Sequence, residues 1–197
     1  MKRLCVIDLD STLIDSPQPE EGKILWEKYY GKRFEFQGWW GRKESLDTSV
    51  FDIKPFPNVL AQLEKEKATP DTMVIILTSR REKLRPEVEN ILNLNGIVVD
   101  DVILKRGNEG KGDVILRIEN YNQDLKEIVV YDDFMDKNAE KIAEYTKIKD
   151  QLPSDVKYIL NYVDNDNIRP LIGEGVINFD STNNLLEIIL EEIKKFK

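Results

Sequence analysis

The run Leu4-Cys5-Val6-Ile7, stopping abruptly at Asp8-Leu9-Asp10, constrains the fold of this chain more than any other stretch. Four consecutive apolar residues fit a strand buried on both faces of a parallel sheet. Side chains alternate along a strand, so Asp8 and Asp10 are expected to project to the same side at its carboxyl end. Open α/β sheets bind their ligands at that end. Two carboxylates placed there repel each other and lose hydration, which a cation or a difference in protonation would relieve. A single Asp after a strand is often just a loop-starting residue. The full Asp-x-Asp-x-Thr pattern, completed by Thr12, is harder to read that way.

Composition narrows the chemistry. The 197 residues contain no His, which excludes Ser-His-Asp and Cys-His catalysis and His-ligated metal sites. Carboxylates, Lys, Arg, hydroxyl groups and the single Cys5 remain. Lys plus Arg number 29 against 37 Asp plus Glu, a net charge of -8 that argues against general nucleic-acid binding but not against a local basic patch. Cys5 has no partner for a disulfide within the chain, which favours a reducing setting. No basic-then-apolar leader precedes the first strand and no apolar run approaches membrane-spanning length, so a soluble, cytoplasmic protein is expected.

Along the chain, Asp15-Ser16-Pro17-Gln18-Pro19 breaks regular structure, and residues 20–30 form a short amphipathic helix. The aromatic and Gly-rich stretch that follows has no clear period, so residues 15–57 read as a small insertion over the strand ends. Trp26, Trp39 and Trp40 form either a small core beneath it or an aromatic wall for a substrate; filling a core is the commoner use. Pro57 opens a helix with Val59, Leu60 and Leu63 on one face. Met73 to Leu77 is a second buried strand, stopping at Thr78-Ser79-Arg80. A helix over 82–94 ends near Gly96. A third strand spans 98–104, and a Gly-rich charged stretch then leads into a helix over 113–122. Glu127 to Tyr131 is a fourth strand ending in Asp132-Asp133. A helix over 136–147 and a fifth strand over 157–163 follow, then the polar loop Asp164 to Asn167. The tail suggests a short strand over 176–179 and a helix over 183–196, with Leu186, Ile189, Leu190 and Ile193 on one face.

Five strands alternating with helices imply an α/β fold, a doubly wound and mostly parallel sheet with right-handed crossovers. We expect a single domain over 1–197 containing the 15–57 insertion. Three of the five strands end in polar side chains that could meet at one point.

These residues resemble the haloacid dehalogenase (HAD) superfamily of Rossmann-like phosphotransferases. The matching elements are Asp8-Leu9-Asp10-Ser11-Thr12, Leu77-Thr78, a Lys, and Asp132-Asp133, in the family's order, over residues 4 to about 136. Trp39-Trp40-Gly41, Leu77-Thr78-Ser79-Arg80, Val102-Ile103-Leu104-Lys105 and Val130-Tyr131-Asp132-Asp133 further resemble its Swiss-army-knife RNA repair-like group. The resemblance implies that Asp8 attacks a phosphoryl group to form an aspartyl-phosphate. Asp10 would protonate the leaving oxygen and then activate water. Mg2+ would be held by Asp8, the backbone carbonyl of Asp10 and the acid of the fourth motif, a donor set suited to that hard ion. Thr78 and the Lys would bind the non-bridging phosphoryl oxygens.

Two assignments stay open in the sequence. Lys111, at a predicted helix start, suits the third motif better, with Lys105 at a strand end as the alternative. Asp133 takes the metal-binding place if Asp132 replaces the small residue that often precedes it. Asp136 is either an acid behind the metal water or simply an acid favoured by a helix N-terminus.

Retention of Asp10 favours a phosphatase over an ATPase. The implied function is a Mg2+-dependent phosphomonoesterase. A small insertion that cannot enclose a metabolite leaves room for a nucleotide, a nucleic-acid end or a phosphoprotein, and Trp39, Trp40 or Tyr30 could stack on a base. The alternatives are a non-catalytic phosphate- or metal-binding protein on the same fold, and, more remotely, a receiver-like signalling domain.

Overall fold

The computed structural model of the chain describes residues 1–133 and 139–172. The tail strand, the closing helix and Asp136 expected above lie outside the described residues.

The sequence pattern produces strands β1 (Arg3–Ile7), β2 (Thr72–Arg81), β3 (Asp101–Lys105), β4 (Glu127–Asp132), β5 (Lys157–Asp164) and β6 (Asn167–Ile172). Helices α1 (Pro19–Tyr30), α2 (Pro57–Ala68), α3 (Arg85–Leu94), α4 (Lys111–Asn120) and α5 (Ala139–Gln151) alternate with them. The strands form one sheet in the order β3-β2-β1-β4-β5-β6. The first five are parallel and β6 runs antiparallel to β5. The fold is therefore α/β, with a mostly parallel sheet.

Alternation along the strands divides the core between the two faces of the sheet. Cys5, Ile7, Val74, Ile76, Val129 and Tyr131 pack with Val59, Leu63, Val88 and Ile91 of α2 and α3. Leu4, Val6, Ile75, Leu77, Ile128 and Val130 pack with Val114, Ile115, Tyr145 and Ile148 of α4 and α5. Helices cover both faces, which is why β1 reads as a continuous apolar run rather than an alternating one. Trp26, Phe34, Trp39, Leu46 and Phe51 from the 15–57 stretch join the first cluster.

Several boundaries differ from those read in the sequence. β2 continues past Leu77 to Arg81, because Thr78 and Arg80 are buried and the strand stays paired with β3 across a bulge. β3 begins at Asp101 rather than residue 98; Asp100 instead bonds back to Val74 through both its backbone N–H and its carboxylate. The 82–94 helix is split, with a 3-10 turn over Glu82–Leu84 before α3, where Pro86 sits in the first turn. Gly96 takes a φ of +66° and ends this unit as expected. α4 starts two residues earlier than expected, and Asp113 accepts the Gly110 N–H at 3.0 Å as its cap. The loop Asp164 to Asn167 is a two-residue hairpin turn, with Asn165 and Asp166 both at positive φ. Those angles suit a tight primed turn, and β6 follows it through residues to which the sequence pattern assigned no element.

Because β1 pairs with β2 on one side and β4 on the other, strand order reverses between β1 and β4. Their carboxyl ends open at the switch point where doubly wound sheets bind ligands. Asp8 follows one of these strands and Asp132 ends the other.

Candidate active site

β1 delivers Asp8 into the crevice. Its backbone N–H donates to Tyr131 O at 2.9 Å, carrying the ladder with β4 one residue beyond the strand. The chain then folds back on itself: Leu13 and Ile14 N–H both donate to Leu9 O, and Ser11 takes a φ of +55°. This turn buries Thr12, whose hydroxyl accepts the Asp133 N–H at 2.9 Å. Thr12 thereby ties the loop after β1 to the end of β4.

Lys111, the first residue of α4, reaches between the two strands. Its ammonium is 2.6 Å from Asp8 Oδ1 and 2.6 Å from Asp132 Oδ2. The Tyr145 hydroxyl of α5 donates to the same Asp132 oxygen at 2.7 Å. Asp8 is only 8% exposed. Burial pushes its carboxyl up to about 7; Asp132 and Asp10 add to that, and Lys111 opposes it. Burial disfavours the Lys111 charge, but Asp132 and Asp8 together outweigh it and raise the ammonium above its ordinary value. Burial and then Asp132 keep the Tyr145 hydroxyl well above its usual range, and so protonated.

Asp8, Asp132 and Asp133 can bring one carboxylate oxygen each to within 4.8 Å of the others. The donor set is all oxygen. Three carboxylates against one ammonium leave a surplus of two negative charges, which fits a hard divalent cation such as Mg2+.

Asp10 lies opposite, held by β2. Arg80 Nε and Nη2 bond its two carboxylate oxygens at 2.8 and 2.7 Å. Thr78 is buried on the same strand, and its hydroxyl accepts the Arg80 N–H at 3.1 Å. These groups line a cleft of about 1250 Å³ whose wall includes Trp40, Arg42 and Lys105.

The structure thus brings Asp8, Asp10, Thr78, Lys111, Asp132 and Asp133 to one cleft. Lys105 is exposed on its wall, and the ammonium on Asp8 is that of Lys111. Trp39 is buried with its indole N–H on Pro17 O at 2.7 Å, and Trp26 is buried with it. Both fill core. Trp40 is half-buried and lines the cleft, while Tyr30 is exposed and donates to Asp47. Two side chains at the site were not singled out in the sequence. Arg80 lies two residues beyond Thr78, and extending β2 by that much places both on one face, a usable signal. Tyr145 gives none, since a tyrosine within a helix reads as core.

No protein-family model matches the chain, and no curated protein matches it. Among solved structures, two of the Pnkp1/Rnl/Hen1 RNA repair complex are similar at 16% identity over 83% of this chain, with TM-scores of 0.43 and 0.44. This chain spans only 43% and 47% of those two chains. The HAD domain of effector protein Lem4 from Legionella pneumophila, an inactive mutant, is similar at 14% identity over 98% of both chains, with a TM-score of 0.46. Likenesses this loose carry no functional weight, which falls on the residues of the cleft.

Among the described residues, no helix is long and apolar enough to cross a membrane.

Proposed function

We propose that the chain is a Mg2+-dependent phosphomonoesterase of the HAD type, acting through an aspartyl-phosphate on a nucleotide or nucleic-acid-end phosphate. The observation that carries this reading is the buried Asp8–Lys111–Asp132 constellation beside Asp133, at the switch point of the sheet. Asp8 is the nucleophile: its oxygen bonds to phosphorus as the ester oxygen leaves. Asp10 gives a proton to that oxygen and then takes one from the attacking water. Lys111 and Thr78 hold the non-bridging oxygens of the phosphoryl group. Asp8, Asp133 and the Asp10 carbonyl would hold Mg2+, with Asp132 placed to orient this set through Lys111. When bound, the ion lets an anionic nucleophile approach an anionic phosphate.

The cleft exceeds the usual range for small-molecule pockets. Trp40 together with Arg42, Arg81 and Lys105 on its walls suits a base and a phosphate backbone. Phosphate release should be followed over aryl phosphate, nucleoside monophosphates, sugar phosphates, a phosphopeptide and oligonucleotides phosphorylated at either end. Preference for nucleotide or oligonucleotide ends is expected. Preference for a sugar phosphate or the phosphopeptide would overturn the substrate class, and Mg2+ binding without any release would leave a binding protein.

A further inference from the structure

The Arg80 side chain is 1% exposed, and every nitrogen of its guanidinium is engaged within the protein. Nε and Nη2 grip the two oxygens of Asp10, a fork that fixes both the position and the plane of a carboxylate. Nη1 donates to Trp40 O at 3.0 Å and to Ser45 Oγ at 2.7 Å. Ser45 Oγ in turn donates to Arg42 O at 2.7 Å, so its lone pairs are left facing Arg80. The guanidinium also lies over the Trp40 ring, 5.4 Å from its centroid. Arg80 sits at the bulge in the β2–β3 pairing, a device that re-aims side chains beside functional sites. An arginine meant to meet substrate phosphate would leave donors free toward the cleft. Arg80 commits four of its five N–H groups to Asp10 and to the 15–57 stretch.

We propose that Arg80 is a positioning residue: it fixes the Asp10 carboxylate for the water-activating half of the reaction, with Trp40 and Ser45 as its anchors. This rests on the phosphatase reading. In the first half, Asp8 bonds to phosphorus and the ester bond breaks, its electron pair leaving on the ester oxygen. A nitrophenolate leaves without needing a proton. In the second half, water attacks phosphorus, its proton passes to Asp10, and the electron pair of the broken P–O bond returns to Asp8. Only this second half then needs Asp10 in place.

The test is rapid-mixing kinetics with p-nitrophenyl phosphate and Mg2+ on wild type, Arg80→Gln, Arg80→Lys and Ser45→Ala. Arg80→Gln is expected to release about one nitrophenolate per protein in a burst, then turn over about 10²-fold more slowly, the scale of loss for a misplaced catalytic group. Its KM falls in step with the steady rate, so that kcat/KM stays level, and hydroxylamine-labile phosphate accumulates on the protein. Arg80→Lys recovers part of the steady rate. Ser45→Ala removes one anchor without touching the cleft acids; it shows the same burst with a smaller slowing, and keeps the proposal testable if Arg80→Gln does not fold. A raised KM with no burst would make Arg80 a substrate-binding residue, and equal loss of burst and steady rate would make it merely structural; either overturns the proposal. Turnover by wild type with no burst in any variant overturns it alone. No turnover by wild type removes the phosphatase reading and this one with it.

Discussion

The Lys111 ammonium lies 2.6 Å from the Asp8 carboxylate, and its second contact, to Asp132, is equally short. One cation thus neutralises the ends of two adjacent strands, and it reaches them from the first turn of α4. Removing one partner of a buried ionic group leaves uncompensated charge. Lys111→Met is therefore expected to lower stability by about 3–5 kcal/mol in EDTA. Mg2+ should recover part of that loss by supplying the missing positive charge. Urea unfolding with and without Mg2+ checks both parts.

Ligand binding to the native state raises stability by mass action. Mg2+ at about 100 times its Kd should add about 2.7 kcal/mol, a rise in Tm of about 5–10 °C for a chain of this size. Asp133→Asn removes a ligand and should abolish most of the rise. Thermal melts across a Mg2+ titration, with Ca2+ as comparison, measure it.

The adjacent tryptophans should behave differently. Trp39 packs against Gly22 of α1 so closely that any Cβ there would strike its ring. Trp39→Ala should cost about 3–5 kcal/mol. Trp40 lines the cleft, so Trp40→Ala should destabilise less and raise KM for a nucleotide more than for an aryl phosphate. Melting curves paired with KM values separate the two roles.

Glu66 of α2 is buried among Arg3, Tyr131 and Gln62. Burial alone would raise its carboxyl; hydrogen bonds from Arg3, Tyr131 and Gln62 outweigh that and hold it below its ordinary value. A depressed folded value means that the stabilisation is present above the unfolded value of about 4.5 and is lost as pH falls through the folded one. Glu66→Gln should cost about 3 kcal/mol at neutral pH. The gap in Tm from wild type should narrow as pH drops below about 4.5.

Legibility in the sequence followed how local each signal was. The strands with continuous apolar runs, β1, β2 and β4, were visible because burial on both faces leaves no other pattern. Their terminal acids and Thr78 were visible because alternation at a strand end is local. β6 was hidden by Asn165 and Asp166, whose composition fits either a loop or a tight turn. Arg80 was hidden because its role depends on β2 outlasting its apolar run, and on Trp40 and Ser45 arriving from elsewhere in the chain. The choice of Lys111 over Lys105 as the ammonium beside Asp8 likewise needed the position of α4, which spacing only suggested.

In the proposed function, Asp8 is the nucleophile of a Mg2+-dependent phosphatase. Phosphate release by wild type and Asp8→Asn, each with Mg2+ and with EDTA, tests it most directly. Release is expected from wild type with Mg2+ only, with a fall of about 10⁴-fold or more in a well-folded Asp8→Asn. Turnover that survives in Asp8→Asn, or in EDTA, would contradict it.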